Sequence, residues 1–262
     1  MDFIKILLTK LLSLIGYKIN RTPPRSEIYE REEKEKQELQ REELESKLKQ
    51  ELITKNRWLS NLKIKTVLDI GANTGQFAEN FLTILPDIEL YCFEPIKTCY
   101  AELKQNLEHN NKVNFFNFAL GNENGEKTIF HNEYSPSSSI LEMNNLHKEA
   151  FAFTEKAEPE VITIKKLDEI TGDLNIKHPL LIKIDVQGFE MEVLKGGLET
   201  IKLADIIIIE TTFEELYSGQ PLFNEIYAFF QDLGFVFKGN FEQLTNPNDG
   251  RILQADSIFV KI

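Results

Sequence analysis

The sequence predicts an α/β fold, in which a mostly parallel β-sheet carries helices on both faces. From residue 62 onward, short apolar runs of strand length alternate with segments of helix length. The runs are continuously apolar, as in strands that are buried on both faces of a parallel sheet. The last two predicted strands have no predicted helix between them, so they should form an antiparallel hairpin at one edge.

The apolar runs predict seven core strands, at residues 65–70, 88–93, 113–118, 180–185, 205–210, 235–237 and 257–261. Helices are predicted between them, at residues 76–85, 97–108, 190–202 and 223–233. Pro86 ends the first of these helices. Three further elements lie between the third and fourth core strands: a turn at 121–125, an extra strand at 127–131 and an edge strand at 161–164.

Two segments precede this domain, which we place at residues 58–262. Residues 1–22 are predicted to form a basic amphipathic helix that ends at Pro23. Residues 1–20 would either contact an anionic membrane surface or dock on the domain or on a partner. Residues 23–57 are rich in charge and predict a solvated helical linker, with a short coiled coil as the alternative.

Charge and cysteine content exclude several classes of protein. The formal net charge of −12 disfavours broad nucleic-acid binding, because phosphate contacts need clustered Lys and Arg. Cys92 and Cys99 belong to no CxxC pair, so neither a disulfide framework nor a zinc site is indicated. We expect a reduced, cytoplasmic protein, peripheral at the membrane if residues 1–20 bind there. The sequence does not indicate its oligomeric state.

The turn after the first strand is the most informative motif. Residues 67–76 read VLDIGANTGQ, in which Asp69 precedes Gly71 and Gly75. A glycine-bearing turn between a strand and a helix offers backbone N–H groups to a polar ligand. The GxxxG spacing differs from the GxGxxG of pyrophosphate-binding loops, and the Asp69 carboxylate would repel a diphosphate. That carboxylate suits the ammonium group of S-adenosylmethionine (SAM), unless the turn is an ordinary strand-to-helix connection.

Further polar residues follow the second and third strands. Glu94, in the run YCFEP, lies 23 residues past Gly71, the interval expected for a carboxylate that accepts hydrogen bonds from a ribose diol. Asn117 and the backbone of Ala119 would contact adenine or simply complete the strand end. These residues should gather beside the turn, because the carboxyl ends of parallel strands meet at one edge of the sheet.

Charged side chains end the fourth and fifth strands. Lys183 and Asp185 are two residues apart in LLIKID, so both point to the same face. Glu210 follows four isoleucines. A charge at a buried strand end is costly without a partner or a function. These three residues are candidates for catalysis, and the alternatives are a Lys–Asp ion pair and a capping or exposed glutamate.

The motifs resemble, in sequence and in order, the FkbM family of SAM-dependent methyltransferases. The resemblance covers residues 58–262 and rests on VLDIGANTGQ, FEP, NFALGNENGE, SSSI, LLIKIDVQGFEMEVLKGG, IIIIE and DSIFVK. It implies a Rossmann-like class I methyltransferase fold with seven strands and an antiparallel strand at one edge. It also implies methyl transfer to a hydroxyl oxygen, on sugar units of glycolipids or oligosaccharides or on polyketides.

The resemblance also implies roles for individual positions. The SAM loop corresponds to Asp69, Gly71, Asn73 and Gly75. Glu94 corresponds to the ribose-binding acid, and Asp185 and Glu210 correspond to acidic positions at the active-site rim. Gln187 stands where many members have Glu, so no acid role is assigned to it.

Methyl transfer to a hydroxyl requires a group that takes the hydroxyl proton, and Asp185 is the first candidate for this base. Alternatively, Asp185 and Glu210 could together hold a divalent cation that lowers the pKa of the acceptor hydroxyl. Oxygen ligands would favour Mg²⁺.

The predicted acceptor is a hydroxyl of a sugar, in a glycan or glycolipid. Alternatives are a polyketide, protein or RNA nucleophile, and a non-catalytic SAM-binding scaffold. Acceptor specificity is expected in residues 134–156 and near 217–223. The serines at 137–139 would either line the acceptor pocket or form a plain polar loop.

Overall fold

A computed structural model describes residues 25–132 and 157–262. The chain divides into two compact units, Met1–Glu51 and Leu52–Ile262. The amphipathic helix predicted at 1–22 and the acceptor segment predicted at 134–156 lie outside the described residues. Within the described residues, no helix is long and apolar enough to cross a membrane.

The charged segment forms helix α1, Arg25–Lys55, whose last turn belongs to the second unit. Glu, Lys, Gln, Arg and Leu dominate its sequence, and all of these residues favour the helix intrinsically. Arg41 and Glu45 form an ion pair one turn apart, at 2.8 Å. Leu44 and Leu48 are exposed, so the helix presents a solvated surface along this stretch.

A seven-stranded sheet organises the second unit. Its strands are β1 (Thr66–Ile70), β2 (Glu89–Phe93), β3 (Val113–Phe116), β7 (Leu180–Ile184), β8 (Ile206–Thr212), β9 (Phe235–Thr245) and β10 (Ile252–Lys261). Their spatial order is β3-β2-β1-β7-β8-β10-β9. Strand β10 runs antiparallel to both β8 and β9, and the pairs from β3 to β8 are parallel. The predicted fold, with its hairpin at one edge, is confirmed.

The helices of the second unit are α2 (Arg57–Asn61), α3 (Gln76–Ile84), α4 (Lys97–Leu107), α5 (Leu167–Ile170), α6 (Glu190–Gly196), α7 (Leu198–Leu203) and α8 (Phe223–Asp232). Alternate strand residues belong to two different hydrophobic cores. Val67 and Leu181 join one core, whereas Leu68 and Ile182 join the other. Both faces of the central strands are therefore buried, which explains why their sequences are continuously apolar.

The second unit also contains a three-stranded sheet, which differs from the elements predicted between the third and fourth core strands. It contains β4 (Ala119–Leu120), β5 (Gly125–Asn132) and β6 (Ala157–Lys165), in the order β4-β6-β5. The strand predicted at 113–118 thus ends earlier, and the segment predicted as an edge strand at 161–164 belongs to the central strand of this sheet.

The prediction of a single helix at 190–202 is wrong in one respect. The segment forms two helices, α6 and α7, which are divided at Gly196 and Gly197. A side chain on Gly196 would lie 1.8 Å from the carbonyl oxygen of Gly121. The helix therefore meets the backbone that precedes β5 at this glycine.

Candidate active site

The turn after β1 is tied to its neighbours on both sides. The backbone N–H groups of Gly71 and Ala72 each donate to the Phe93 carbonyl oxygen at 3.0 Å. Gly71 has φ +82°, and a Cβ there would lie 1.8 Å from the carbonyl oxygen of Asp185. Only glycine fits such an approach. The predicted SAM loop therefore touches the backbone that follows β7.

Glu94 is bound to the same turn. Its Oε2 accepts from the backbone N–H of Asn73, and its Oε1 accepts from that of Ile96, both at 2.8 Å. Asn73 has φ +50°, in the left-handed region. Burial raises the pKa of Glu94 to about 7, although the two N–H donors oppose this. Each oxygen retains accepting capacity for a hydroxyl, so the carboxylate suits the predicted ribose contact.

Asn117 and Ala119 have structural contacts of their own. The Asn117 amide donates to the carbonyl oxygens of Glu94 at 2.9 Å and Pro95 at 3.0 Å, and so supports the turn after β2. Ala119 is buried and pairs with Ile164 in the small sheet. Their predicted contact with adenine stays a prediction.

A line of alternating charges runs across the ends of β1 and β7. Lys183 Nζ lies 3.7 Å from Asp69 Oδ1 and 3.2 Å from Asp185 Oδ2. It also lies 4.6 Å from the centre of the Phe77 ring. Burial opposes the charge on Lys183, but Asp185 and Asp69 raise its pKa above the ordinary value. Lys183 is therefore a buried ammonium ion held between two carboxylates.

Asp69 is fully enclosed, with 0% of its surface exposed. Burial raises its pKa, and the charge of Lys183 opposes that rise. Among the described residues, neither carboxylate oxygen has a hydrogen-bond partner. Two buried acceptors without a donor fit a ligand with donor groups, such as the ammonium of SAM, although the cation that faces Asp69 in this structure is Lys183.

Asp185 and Glu210 come together at the carboxyl ends of β7 and β8, as predicted by the rule for parallel sheets. Gln187 joins the two carboxyl groups, and Tyr217 holds Gln187. Gln187 Nε2 donates to Asp185 Oδ1 at 2.7 Å and lies 3.0 Å from each Glu210 oxygen. The Tyr217 hydroxyl donates to Gln187 Oε1 at 2.9 Å. The sequence assigns no acid role to Gln187 and places Tyr217 at the start of a segment expected to determine acceptor specificity, but it predicts neither of these contacts.

Two further carboxyl groups lie near the pair, that of Glu190, which is buried, and that of Asp256, which is half-buried. Glu190 Oε1 accepts from the backbone N–H groups of Val186 at 3.2 Å and Gly188 at 3.1 Å. Asp256 is the register partner of Glu210 across β8 and β10. Burial raises the pKa of each to about 7, and the charge of Asp185 adds to the effect. Burial raises the pKa of Glu210 well above its ordinary value, and the charges of Asp185, Glu190 and Asp256 add to the rise.

The predicted Mg²⁺ site does not fit this arrangement. Within the described residues, no group of three or more His, Cys, Asp or Glu side chains could hold a metal ion. The space between Asp185 and Glu210 contains a hydrogen-bond donor, the amide nitrogen of Gln187.

Comparison with known proteins identifies the family. The profile of the methyltransferase FkbM domain matches residues 69–237, which is more than half of the chain. The chain belongs to the FkbM methyltransferase family. The match begins at Asp69 and contains every site residue described above except Asp256. The predicted family is thereby confirmed.

Two named methyltransferases are similar to this chain over more than half of its length. The 2-O-methyltransferase NoeI of Sinorhizobium fredii is 32% identical over 162 residues, which cover 59% of this chain and 66% of NoeI. The hexuronic acid methyltransferase AglP of Haloferax volcanii is 28% identical over 178 residues, covering 64% of this chain and 67% of AglP. The matched part of NoeI is thus just under two thirds of its length.

A solved structure shows a more distant likeness. Magnesium protoporphyrin IX methyltransferase (ChlM) from Synechocystis PCC 6803, with bound SAM, is 14% identical. The alignment covers 82% of this chain and 79% of ChlM, with a TM-score of 0.43. At this TM-score the likeness supports no conclusion about the site.

Proposed function

We propose that this FkbM methyltransferase transfers the methyl group of SAM to a hydroxyl group of a sugar, in a glycan or glycolipid. One observation carries the proposal: the glycine turn lies directly against the backbone of Asp185, because a Cβ on Gly71 would overlap the Asp185 carbonyl. A methyl donor held by the turn would therefore lie beside carboxylates that can take a proton. This is the arrangement that in-line transfer to a hydroxyl needs.

The donor side would be formed by the Gly71–Gly75 turn and Glu94. SAM supplies a methyl group on a sulfonium, which is a good leaving group. Glu94 is already oriented by two backbone N–H groups, so its remaining accepting capacity points in a fixed direction. Asp69 would contribute negative charge behind the turn.

The acceptor side would be formed by Asp185 and Glu210. Asp185 accepts hydrogen bonds from Lys183 Nζ at 3.2 Å and from Gln187 Nε2 at 2.7 Å, so its carboxylate is held in a fixed orientation. Glu210 contacts Gln187 and is surrounded by carboxyl groups, which raise its pKa. We assign proton removal to Glu210 and orientation of the hydroxyl to Asp185. No step of this proposal passes through Mg²⁺.

The names of two relatives support a sugar acceptor. NoeI is named as a 2-O-methyltransferase and AglP as a hexuronic acid methyltransferase. A sugar hydroxyl is a weak nucleophile that requires a base, and the acidic pair supplies one.

Calorimetric titration with SAM tests the donor site. The full chain should bind SAM, and Glu94→Ala should weaken binding about tenfold or more, because charge-assisted hydrogen bonds are lost. Glu199→Ala is the matched control, since Glu199 is exposed and pairs with Lys202. Absence of SAM binding, or equal affinity in Glu94→Ala and the wild type, would refute the assignment.

A further inference from the structure

The side chain of Gln187 links Asp185 and Glu210. Its Nε2 lies 2.7 Å from Asp185 Oδ1 and 3.0 Å from both oxygens of Glu210. Three oxygens from two carboxylates thus converge on one nitrogen atom. Carboxylate oxygens accept hydrogen bonds and the amide NH₂ group donates them, so it is the NH₂ end of the amide that faces the pair.

The other end of the amide is fixed as well. The Tyr217 hydroxyl donates to Gln187 Oε1 at 2.9 Å, and burial raises the pKa of Tyr217, so this phenol keeps its proton. The Tyr217 loop is itself held by Gln220, whose Oε1 accepts from the backbone N–H groups of Leu216 at 2.7 Å and Tyr217 at 2.5 Å. Gln220 Nε2 donates to Thr212 Oγ1 at 2.7 Å. The loop therefore connects the amide to the end of β8.

The backbone under Gln187 is also specialised. Gln187 has φ +52° and Gly188 has φ +98°, so two successive residues adopt the left-handed conformation. A residue with a Cβ adopts this conformation at a cost. Glu190 stabilises the turn by accepting from the N–H groups of Val186 and Gly188. The turn thus maintains a strained residue whose side chain reaches both carboxylates.

Two neighbouring carboxylates repel each other unless positive charge or a donor lies between them. Lys183 supplies positive charge on the Asp185 side, and Glu190 and Asp256 add negative charge around Glu210. A divalent cation shared by the pair would require the position that Gln187 Nε2 occupies, because cation–oxygen distances are about 2.0–2.6 Å. We propose that Gln187 is a positioning residue whose amide takes the place of a divalent cation between Asp185 and Glu210. Its effect on methyl transfer rests on the proposed function, whereas the bridge itself does not.

Calorimetric titration of the full chain with Mn²⁺, in the absence of SAM, tests the bridge. Gln187→Glu replaces the donor by a third carboxylate of the same shape, so this variant should bind one Mn²⁺ about tenfold or more tightly than the wild type. Gln231→Glu is the matched control, because Gln231 is exposed on α8 and the substitution adds the same charge. It should bind Mn²⁺ as the wild type does.

Equal Mn²⁺ affinity in Gln187→Glu and Gln231→Glu would overturn the proposal. A second measurement uses the wild type and does not depend on the folding of a Gln187 variant. Any saturable Mn²⁺ binding by the wild type should persist in Asp185→Asn, because the pair should hold no cation. Saturable binding that Asp185→Asn abolishes would also overturn the proposal, since the pair would then hold a cation despite the amide.

Activity gives an independent reading once an acceptor is known. The wild type should be fully active in EDTA, whereas Gln187→Glu should lose kcat in EDTA and recover part of it with Mg²⁺. Loss of wild-type activity in EDTA, restored by Mg²⁺, would contradict the bridge. If no sugar acceptor is methylated at all, the proposed function fails while the Mn²⁺ result still decides the bridge.

Discussion

At the scale of single residues, the buried ammonium group of Lys183 compensates the charges of two carboxylates at the carboxyl ends of β1 and β7. It is 2% exposed, and its ammonium group contacts Asp69 and Asp185. Removing one member of a buried ion pair leaves the other charge without compensation, which costs far more than the loss of a surface pair. The residue is therefore important for stability as well as for the charge of the site.

Lys183→Met, which keeps the length of the side chain, should lower the free energy of unfolding by about 3–5 kcal/mol. Lys195→Met is the control, because Lys195 pairs with Glu192 at an exposed position and should cost less than about 1 kcal/mol. Urea denaturation of both variants measures the difference. Similar losses of stability in the two variants would show that Lys183 does not compensate buried charges.

At the scale of elements, the glycine turn after β1 combines a left-handed residue with a backbone contact. Gly71→Ala should lower the free energy of unfolding by about 1–2 kcal/mol because of the left-handed backbone. The overlap with the Asp185 carbonyl should lower it by about 1–3 kcal/mol more. Gly250 also has a left-handed φ, +76°, but a Cβ there would meet nothing within 4 Å. Gly250→Ala should therefore lose only the stability that the left-handed backbone costs. Equal losses of the free energy of unfolding in Gly71→Ala and Gly250→Ala, measured by urea denaturation, would argue against the contact between Gly71 and Asp185.

The core strands were predictable because strands buried on both faces have continuously apolar sequences. Strand β1, Thr66–Ile70, lies within the predicted 65–70. The Gly196-Gly197 pair was a local signal for the division of the predicted helix, whereas the approach of Gly196 to Gly121, a residue distant in sequence, was not predictable. Local patterns contain no information about such tertiary contacts.

The same distinction applies to the candidate site. Asp185 and Glu210 are visible in the sequence because each charge directly follows a mostly apolar run. Gln187 and Tyr217 join them only through a left-handed turn and a loop after β8, and neither geometry has a local signature here. Asp256 lies beside Glu210 through the register of an antiparallel pair, which the sequence pattern does not specify.

At the scale of the whole molecule, several buried carboxyl groups determine how stability depends on pH. Burial raises the pKa of Glu94, Glu190 and Asp256 to about 7. These groups bind protons more tightly in the folded than in the unfolded chain, so their contribution favours the folded state at low pH. It is lost as the pH rises from the ordinary carboxyl pKa through about 7.

The free energy of unfolding should therefore fall between pH 5.5 and pH 7.5, by on the order of 1 kcal/mol per pH unit. Urea denaturation across this range measures it, and Glu94→Gln should reduce the slope. A free energy that rises with pH in this interval would mean that these carboxyl groups are not protonated more readily in the folded state.

Product analysis with methyl-labelled SAM tests the central claim most directly. The full chain should transfer label to a hydroxyl oxygen of a sugar, with hexuronic acids included among the acceptors, and mass spectrometry of the product should show one O-methyl group. Glu210→Gln should bind SAM normally but lose about 10²–10⁴-fold in kcat, as expected for removal of a base. Label on nitrogen or carbon, or undiminished transfer by Glu210→Gln, would contradict the account.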